Sequence, residues 1–397
     1  MSERQNRTLT PSETNWPVVL IATFAGITAA LHLGKAAATL PLIRAEFGAD
    51  LTLLATYVSL ISVVAATTGL VFGTLTRRVG ARRAGIAGLL FIAAGSAGGA
   101  VVDSASFLLV TRVVEAIGFA LTVTAMPAII QPASAAKHKS LTLGIWSTWL
   151  PAGVALMMAI AWLVLDSVGW RGVFWIGAAL PIVSGLMLAA VTRRGETRGR
   201  AGLALNAVRG LFRRETMLIA GNFITFSATN LIVMAFLPTL LVDEFGMTPT
   251  DATLISFFAA LTLIPGNVAG GWLLDKGYDA RTLFLISFCG MLAAAFFLLS
   301  DWAPQEYRII SAFIFSACTG VPPSLVWSSI PRVMRTPDEA PLLSGFYYQG
   351  AGLGQLIGPI LAGVAVEDFG GWFSAFWIIL ALLLAAIVFS LMMPRRP

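Results

Sequence analysis

Apolar residues in this chain fall in long unbroken runs, and the polar residues collect between the runs instead of alternating within them. Twelve runs stand out, at 16–40, 51–75, 84–102, 106–131, 141–165, 172–191, 217–241, 252–274, 281–300, 307–330, 341–366 and 371–393. Roughly 20 apolar residues in a helix cross a hydrocarbon core of about 30 Å. A helix satisfies its own backbone hydrogen bonds in lipid, so helices are the economical way to make each crossing. The pattern therefore predicts an all-α membrane protein with twelve transmembrane helices.

The runs also repeat. Leu40-Pro41, followed by Glu46-Phe47-Gly48, recurs as Leu237-Pro238, followed by Glu244-Phe245-Gly246. Gly73-Thr74-Leu75 recurs as Gly271-Trp272-Leu273, and Gly169-Trp170 with Phe174-Trp175 recurs as Gly371-Trp372 with Phe376-Trp377. Thr111-Arg112 matches Tyr307-Arg308, and Leu143-Gly144 matches Ser344-Gly345. All offsets lie between 196 and 202 in a chain of 397 residues, so the unit is half the chain. A duplicated membrane bundle is the architecture of a transporter that rocks one half against the other. The expected division is a tail at 1–15, a six-helix bundle at 16–191, a linker at 192–216, a second bundle at 217–393 and a tail at 394–397. Leu203, Leu205, Val208, Leu211 and Phe212 lie among the linker's arginines. That mixture fits either an amphipathic surface helix or a plain flexible linker.

Composition agrees with the pattern. The chain is 57% hydrophobic and 12% charged, against about 25% charged in soluble domains, and its mean hydropathy is +0.83. Its polar first fifteen residues do not make a cleavable signal, so the first run is a true span. With both termini in the cytoplasm, the segments on that side hold 21 of the 26 Lys and Arg, as the positive-inside rule requires. The net charge of +6 then reflects topology and anionic headgroups, not nucleic acid. Cys289 and Cys318 fall inside spans and read as packing residues. With two His and two Cys in all, no metal site is expected, and no cofactor. The chain has no phosphate-cradling Gly-x-x-x-x-Gly-Lys-Ser/Thr loop and no His-Glu-x-x-His, so it reads as no enzyme, and any transport must draw on a gradient.

Gly73-Thr74-Leu75-Thr76-Arg77-Arg78-Val79-Gly80-Ala81-Arg82-Arg83 is similar to the loop 2–3 signature of the major facilitator superfamily. Gly271 to Arg281 is its second copy, with Asp275-Lys276. Arg112, Glu115 and Gly118 resemble the family's helix-4 signature, and Gly354, Gly358-Pro359 and Gly363 its glycine-rich interface helices. The resemblance covers essentially the whole chain. It implies two pseudo-symmetric six-helix bundles around a central cavity that opens alternately to each side. Two departures stand out. Arg77 occupies the usual Asp position, and helix 5 reads Trp149-Leu150-Pro151-Ala152-Gly153 where drug antiporters carry a cleaner motif. His32-Leu33-Gly34-Lys35 looks more like the cyanate and nitrate porters, a looser match that suggests an anion.

An ionisable residue inside a span is by default a functional candidate. His32 and Lys35, three apart, share a face of helix 1. Lys35 is expected to attract an anionic substrate or a carboxylate, the alternative being that it snorkels to headgroups. His32 suits a proton relay. Arg112 and Glu115, also three apart, either compensate each other or serve as anion site and proton-coupling acid. Asn230, Trp149, Tyr347 and Gln349 are the remaining expected substrate contacts, and Lys35, Arg112 and Asn230 are expected to face one central space. At the cytoplasmic face the resemblance implies two gates. Arg77 should meet Asp338 or Glu339, and Asp275 should meet the start of helix 5 or its lysines.

These readings converge on a secondary active transporter, working as a monomer in a bacterial inner membrane with both termini cytoplasmic. Its expected partners are a small anionic solute, a coupling proton or other ion, and the lipid bilayer. The rivals are a proton-driven exporter of amphipathic compounds and, in another class, a non-transporting receptor or sensor.

Overall fold

A computed structural model describes residues 12–48, 51–192 and 211–395, and these are helical nearly throughout, with no strand. Among the described residues the helices make twelve spans. In chain order α1 is Trp16–Phe47, α2 Leu51–Val79, α3 Ala81–Ala100 and α4 Ala105–Ala133. The stretch Lys139–Ser147 continues after one turn into Trp149–Val191. The latter is broken at Gly169 (φ 64°, ψ −179°), a conformation that side chains resist. The break separates α5 (139–168) from α6 (170–191). The second half follows with α7 Arg214–Phe245, α8 built from Pro249–Leu261 and Leu263–Asp275, α9 Ala280–Leu299, α10 Gln305–Val333, α11 Ala340–Phe369 and α12 Ser374–Met392.

The repeat appears in the packing. In the first half α3 packs on α4 and α6, α2 on α4, and α1 on α6; in the second α9 packs on α10 and α12, α8 on α10, and α7 on α12. Equivalent helices end alike, because Gly48 (φ 60°) closes α1 and Gly246 (φ 62°) closes α7. Their last turns carry equivalent clasps. The Trp170 indole N–H donates to Glu46 (2.6 Å), and that of Trp372 donates to Asp243 (3.3 Å). Arg171 adds an ion pair to Glu46, and the hydrogen bonds from Trp170 and Arg171 hold the Glu46 carboxyl below the usual carboxylate range. Trp170 is thus buried against an acid.

The described chain ends, Asn15 and Met393, and the turns α2–α3, α4–α5, α8–α9 and α10–α11 lie at one end of the spans, called here the basic face. Two seams join the halves, and the repeat relates them. Along α2 and α11, a side chain at Gly345 would collide with the Gly69 carbonyl, and one at Gly73 would come within 2.5 Å of the Pro341 carbonyl. Along α5 and α8, a side chain at Gly271 would collide with the Ser140 carbonyl, and one at Gly144 would lie 2.9 Å from that of Asn267. Gly73 and Gly271 are repeat counterparts, as are Gly144 and Gly345, so each seam is closed by the same pair of glycines exchanged between halves. In lipid, small residues permit this close backbone approach where large ones forbid it. Most of the expected linker, 193–210, lies outside the described residues, as do 1–11 and 396–397; within it, the boundary residue Leu211 is buried and Phe212 exposed.

Candidate functional site

Between the halves lies a central cavity of about 90 Å³. Trp149, Phe119, Trp327, Phe226 and Tyr348 supply aromatic walls, and Asn230, Asn267, Ser147 and Gln355 supply polar points. The aromatic surface is continuous. Trp149 stacks on Trp146 at 5.3 Å and 12°, Phe119 leans on Trp149 at 5.4 Å, and Tyr348 lies 6.0 Å from Phe119. Among the described residues, no Asp, Glu, Lys, Arg or His lines this cavity. The Asn230 Oδ1, the Asn267 Oδ1 and the Tyr348 hydroxyl are buried without a hydrogen-bond partner among the described residues. Such groups are costly unless something pairs with them.

The charged residues sit elsewhere, sealed inside the first bundle. His32 and Lys35 on α1 and Arg112 and Glu115 on α4 are each at most 1% exposed. Glu115 is the hub. One carboxylate oxygen takes both the Lys35 ammonium and His32 Nδ1 (3.1 Å), and the other accepts from Arg112 (2.8 Å). Lys35 also donates to the Ser96 hydroxyl (2.9 Å) and lies 3.8 Å over the Phe174 ring. Arg112 donates to the carbonyls of His32 (2.9 Å) and Tyr57 (3.1 Å), and its guanidinium covers the Tyr57 ring at 4.7 Å. With His32 neutral, two cations share one carboxylate, a net charge of +1 in a dry site. His32 Nε2 and one Arg112 nitrogen have no partner among the described residues.

Several expected positions are therefore corrected. Lys35, His32 and Arg112 do not share a cavity with Asn230. Lys35 does not reach headgroups either, because the single carboxylate of Glu115 draws Lys35, His32 and Arg112 into the bundle. Tyr347 turns away from the cavity, where its hydroxyl accepts from Ser329 (3.3 Å), while its neighbour Tyr348 lines it. Gln349 spends its carbonyl oxygen on the Leu70 backbone N–H (3.2 Å) across the α2–α11 seam. Asn230 and Trp149 do line the cavity. Trp327 and Phe226 are wall residues that the sequence reading did not single out. The available signal was Pro323, about one helical turn before Trp327 and the repeat counterpart of Pro127 at an offset of 196.

At the basic face, Arg77 donates to Asp338 through Nε (2.8 Å) and Nη2 (2.5 Å). Glu339 instead takes Arg213 (3.0 Å) and the Arg335 backbone N–H (2.9 Å). Asp275 takes the backbone N–H groups of Ser140 (3.0 Å) and Leu141 (2.7 Å), the free amides at the start of α5, and not its lysines. A carboxylate there satisfies orphan donors and complements the helix dipole.

Residues 18–336 and 218–397 match the model of the Major Facilitator Superfamily. The chain is similar to a nitrite extrusion protein of Bacillus subtilis, 25% identical over 245 residues, which cover 61% of this chain and 60% of that protein. It is also similar to a 3-(3-hydroxy-phenyl)propionate transporter of Escherichia coli, 24% identical over 301 residues, 74% of this chain and 73% of that one. Among solved structures, the Escherichia coli fucose:proton symporter FucP superposes with a TM-score of 0.78 at 15% identity, over 95% of this chain and 98% of the other. A cavity between two repeated six-helix halves, glycine seams at one face and this family match agree: the chain is a multi-pass membrane protein of the Major Facilitator Superfamily, a transporter of small solutes and not an enzyme.

Proposed function

We propose that the chain carries an amphipathic organic solute with an aromatic or other flat apolar body, by alternating access and coupled to protons. The observation that carries this reading is the composition of the cavity wall, aromatic rings and neutral amides with no charged side chain. A ring gains dispersion and stacking against Trp149, Phe119 and Tyr348, and its polar group meets the unpartnered Asn230 amide and Tyr348 hydroxyl. An inorganic anion as small as nitrite would lose its hydration shell with no cation to replace it. The rival reading as a carrier of amphipathic compounds thus gains over a small-anion carrier that binds through Lys35 and Arg112. The moving bodies are 16–191 and 217–393, within one chain acting as a monomer. The basic face is cytoplasmic by its charge, in a bacterial inner membrane. On that assignment the closed seams belong to the outward-facing state.

The coupling proton belongs to Lys35. The Lys35–Arg112–Glu115 cluster is neutral only when one cation gives up its charge, and a guanidinium does not deprotonate in proteins. Lys35 therefore alternates between ammonium and amine, while Glu115, held by Arg112, stays a carboxylate. His32 shares its oxygen with Lys35 and relays the proton. This revises the expectation that Glu115 itself takes the proton. Purified protein tests the solute reading: a neutral aromatic amphiphile, 3-(3-hydroxyphenyl)propionamide, should raise its melting temperature and nitrite should not. The reverse order would reject it.

A further inference from the structure

On the outer surface at the basic face, a groove of about 600 Å³ runs between α2, α7, α11 and α12. Leu70, Met217, Ile224, Leu353 and Phe389 wall it. Met217 and Leu353 are 43% and 36% exposed there, and in a membrane protein such apolar surface faces lipid tails. Arg214, the first residue of α7, lines the same groove at its basic-face end. It is exposed and has no ion-pair partner among the described residues, whereas Arg213 beside it is held by Glu339.

We propose that this groove is a binding site for one anionic phospholipid of the leaflet at the basic face. An apolar trough with a free cation at headgroup level complements a lipid whose chain lies in the trough and whose phosphate sits on Arg214. The site also reports on the gate. Its wall from the first half is Leu70, whose backbone N–H is bound by Gln349 across the α2–α11 seam. The groove is complete only while that seam is shut, so the bound lipid stabilises the state closed at the basic face.

The test compares melting temperatures in nanodiscs of phosphatidylcholine with and without phosphatidylglycerol. The wild-type chain should melt higher with phosphatidylglycerol. Arg214→Glu should lose most of that shift, and so should Leu353→Trp, which fills the trough. Arg83→Glu, at an exposed arginine elsewhere on the same face, should keep it. Each variant is first measured in phosphatidylcholine alone, so a folding defect is seen separately. No shift for the wild-type chain overturns the proposal. So does an equal loss in Arg83→Glu, which would mean diffuse surface charge, or a full shift in Leu353→Trp, which would mean the trough is not occupied.

Discussion

Arg77 and Asp275 occupy equivalent positions in the two halves, 198 residues apart, and close equivalent seams with opposite charges. Asp275 binds the free amides of α5 directly. Arg77 would be repelled by the matching positive end of α11, and Asp338, standing just before that helix, makes the junction attractive. One half uses an anion on a helix terminus, and the other uses a cation bridged to the terminus by an acid.

The bridge makes a charge-swap prediction. Arg77→Glu should open the α2–α11 seam, and Asp338→Arg added to it should restore part of the closure. Such an ion pair contributes about 1 kcal/mol or less, enough for a several-fold change in population. Labelling of a cysteine placed at the basic face reads the change. Unchanged labelling in Arg77→Glu would remove the latch from the account.

Asp275→Asn should act in the same direction by a different route. The amide can still accept from Ser140 or Leu141, but it loses the charge that favours the helix terminus. Removing a capping group entirely, as in Asp275→Ala, costs roughly 1 kcal/mol. Basic-face labelling should therefore rise in the order wild type, Asp275→Asn, Asp275→Ala. No change between wild type and Asp275→Ala would show that the amides of α5 do not need this carboxylate.

The glycine seams predict a steric shift. Gly271→Val would drive a side chain into the Ser140 carbonyl, and Gly345→Val one into that of Gly69. Either should disfavour the closed basic face while leaving each bundle folded, since these contacts join the halves. Cross-linking between α5 and α8 should fall in Gly271→Val, and a retained yield would contradict the packing.

Much of this could be read from the residues alone. The apolar runs located the spans, and the repeat offsets paired Gly73 with Gly271 and Gly144 with Gly345; that these glycines meet across two seams was not read from the offsets, and the gates there came from the family resemblance. The rotation of helices about their own axes was not legible. His32, Lys35, Arg112 and Glu115 must avoid lipid, but the bundle interior and the central cavity avoid it equally well. A spacing of three puts two residues on one face without saying what that face meets. Tyr347 and Tyr348 show the same limit, since adjacent helical residues point about 100° apart and only packing decides which one reaches the cavity.

The buried cluster predicts different outcomes for three substitutions. Glu115→Gln leaves Lys35 and Arg112 facing each other without a counter-charge, and breaking such a buried pair costs about 3–5 kcal/mol. Its melting temperature should drop sharply. Lys35→Met leaves Arg112 and Glu115 paired and the site neutral, so the protein should stay folded. Solute exchange should persist, but accumulation driven by a proton gradient should be lost. Lys35→Arg keeps the charge and cannot release the proton, so gradient-driven accumulation should fail there too. Retained accumulation in Lys35→Met would move the coupling proton to another group.

The most direct test of the division between a neutral aromatic cavity and a sealed charge cluster is one titration in four proteins. Binding of 3-(3-hydroxyphenyl)propionamide, a neutral aromatic amphiphile, is measured by calorimetry on the wild-type chain and on Trp149→Ala, Asn230→Ala and Lys35→Met. The account predicts binding to the wild-type chain, loss of most affinity in Trp149→Ala and Asn230→Ala, and near-normal affinity in Lys35→Met. Loss in Lys35→Met with near-normal binding in Trp149→Ala would place the solute on the charged residues and contradict it.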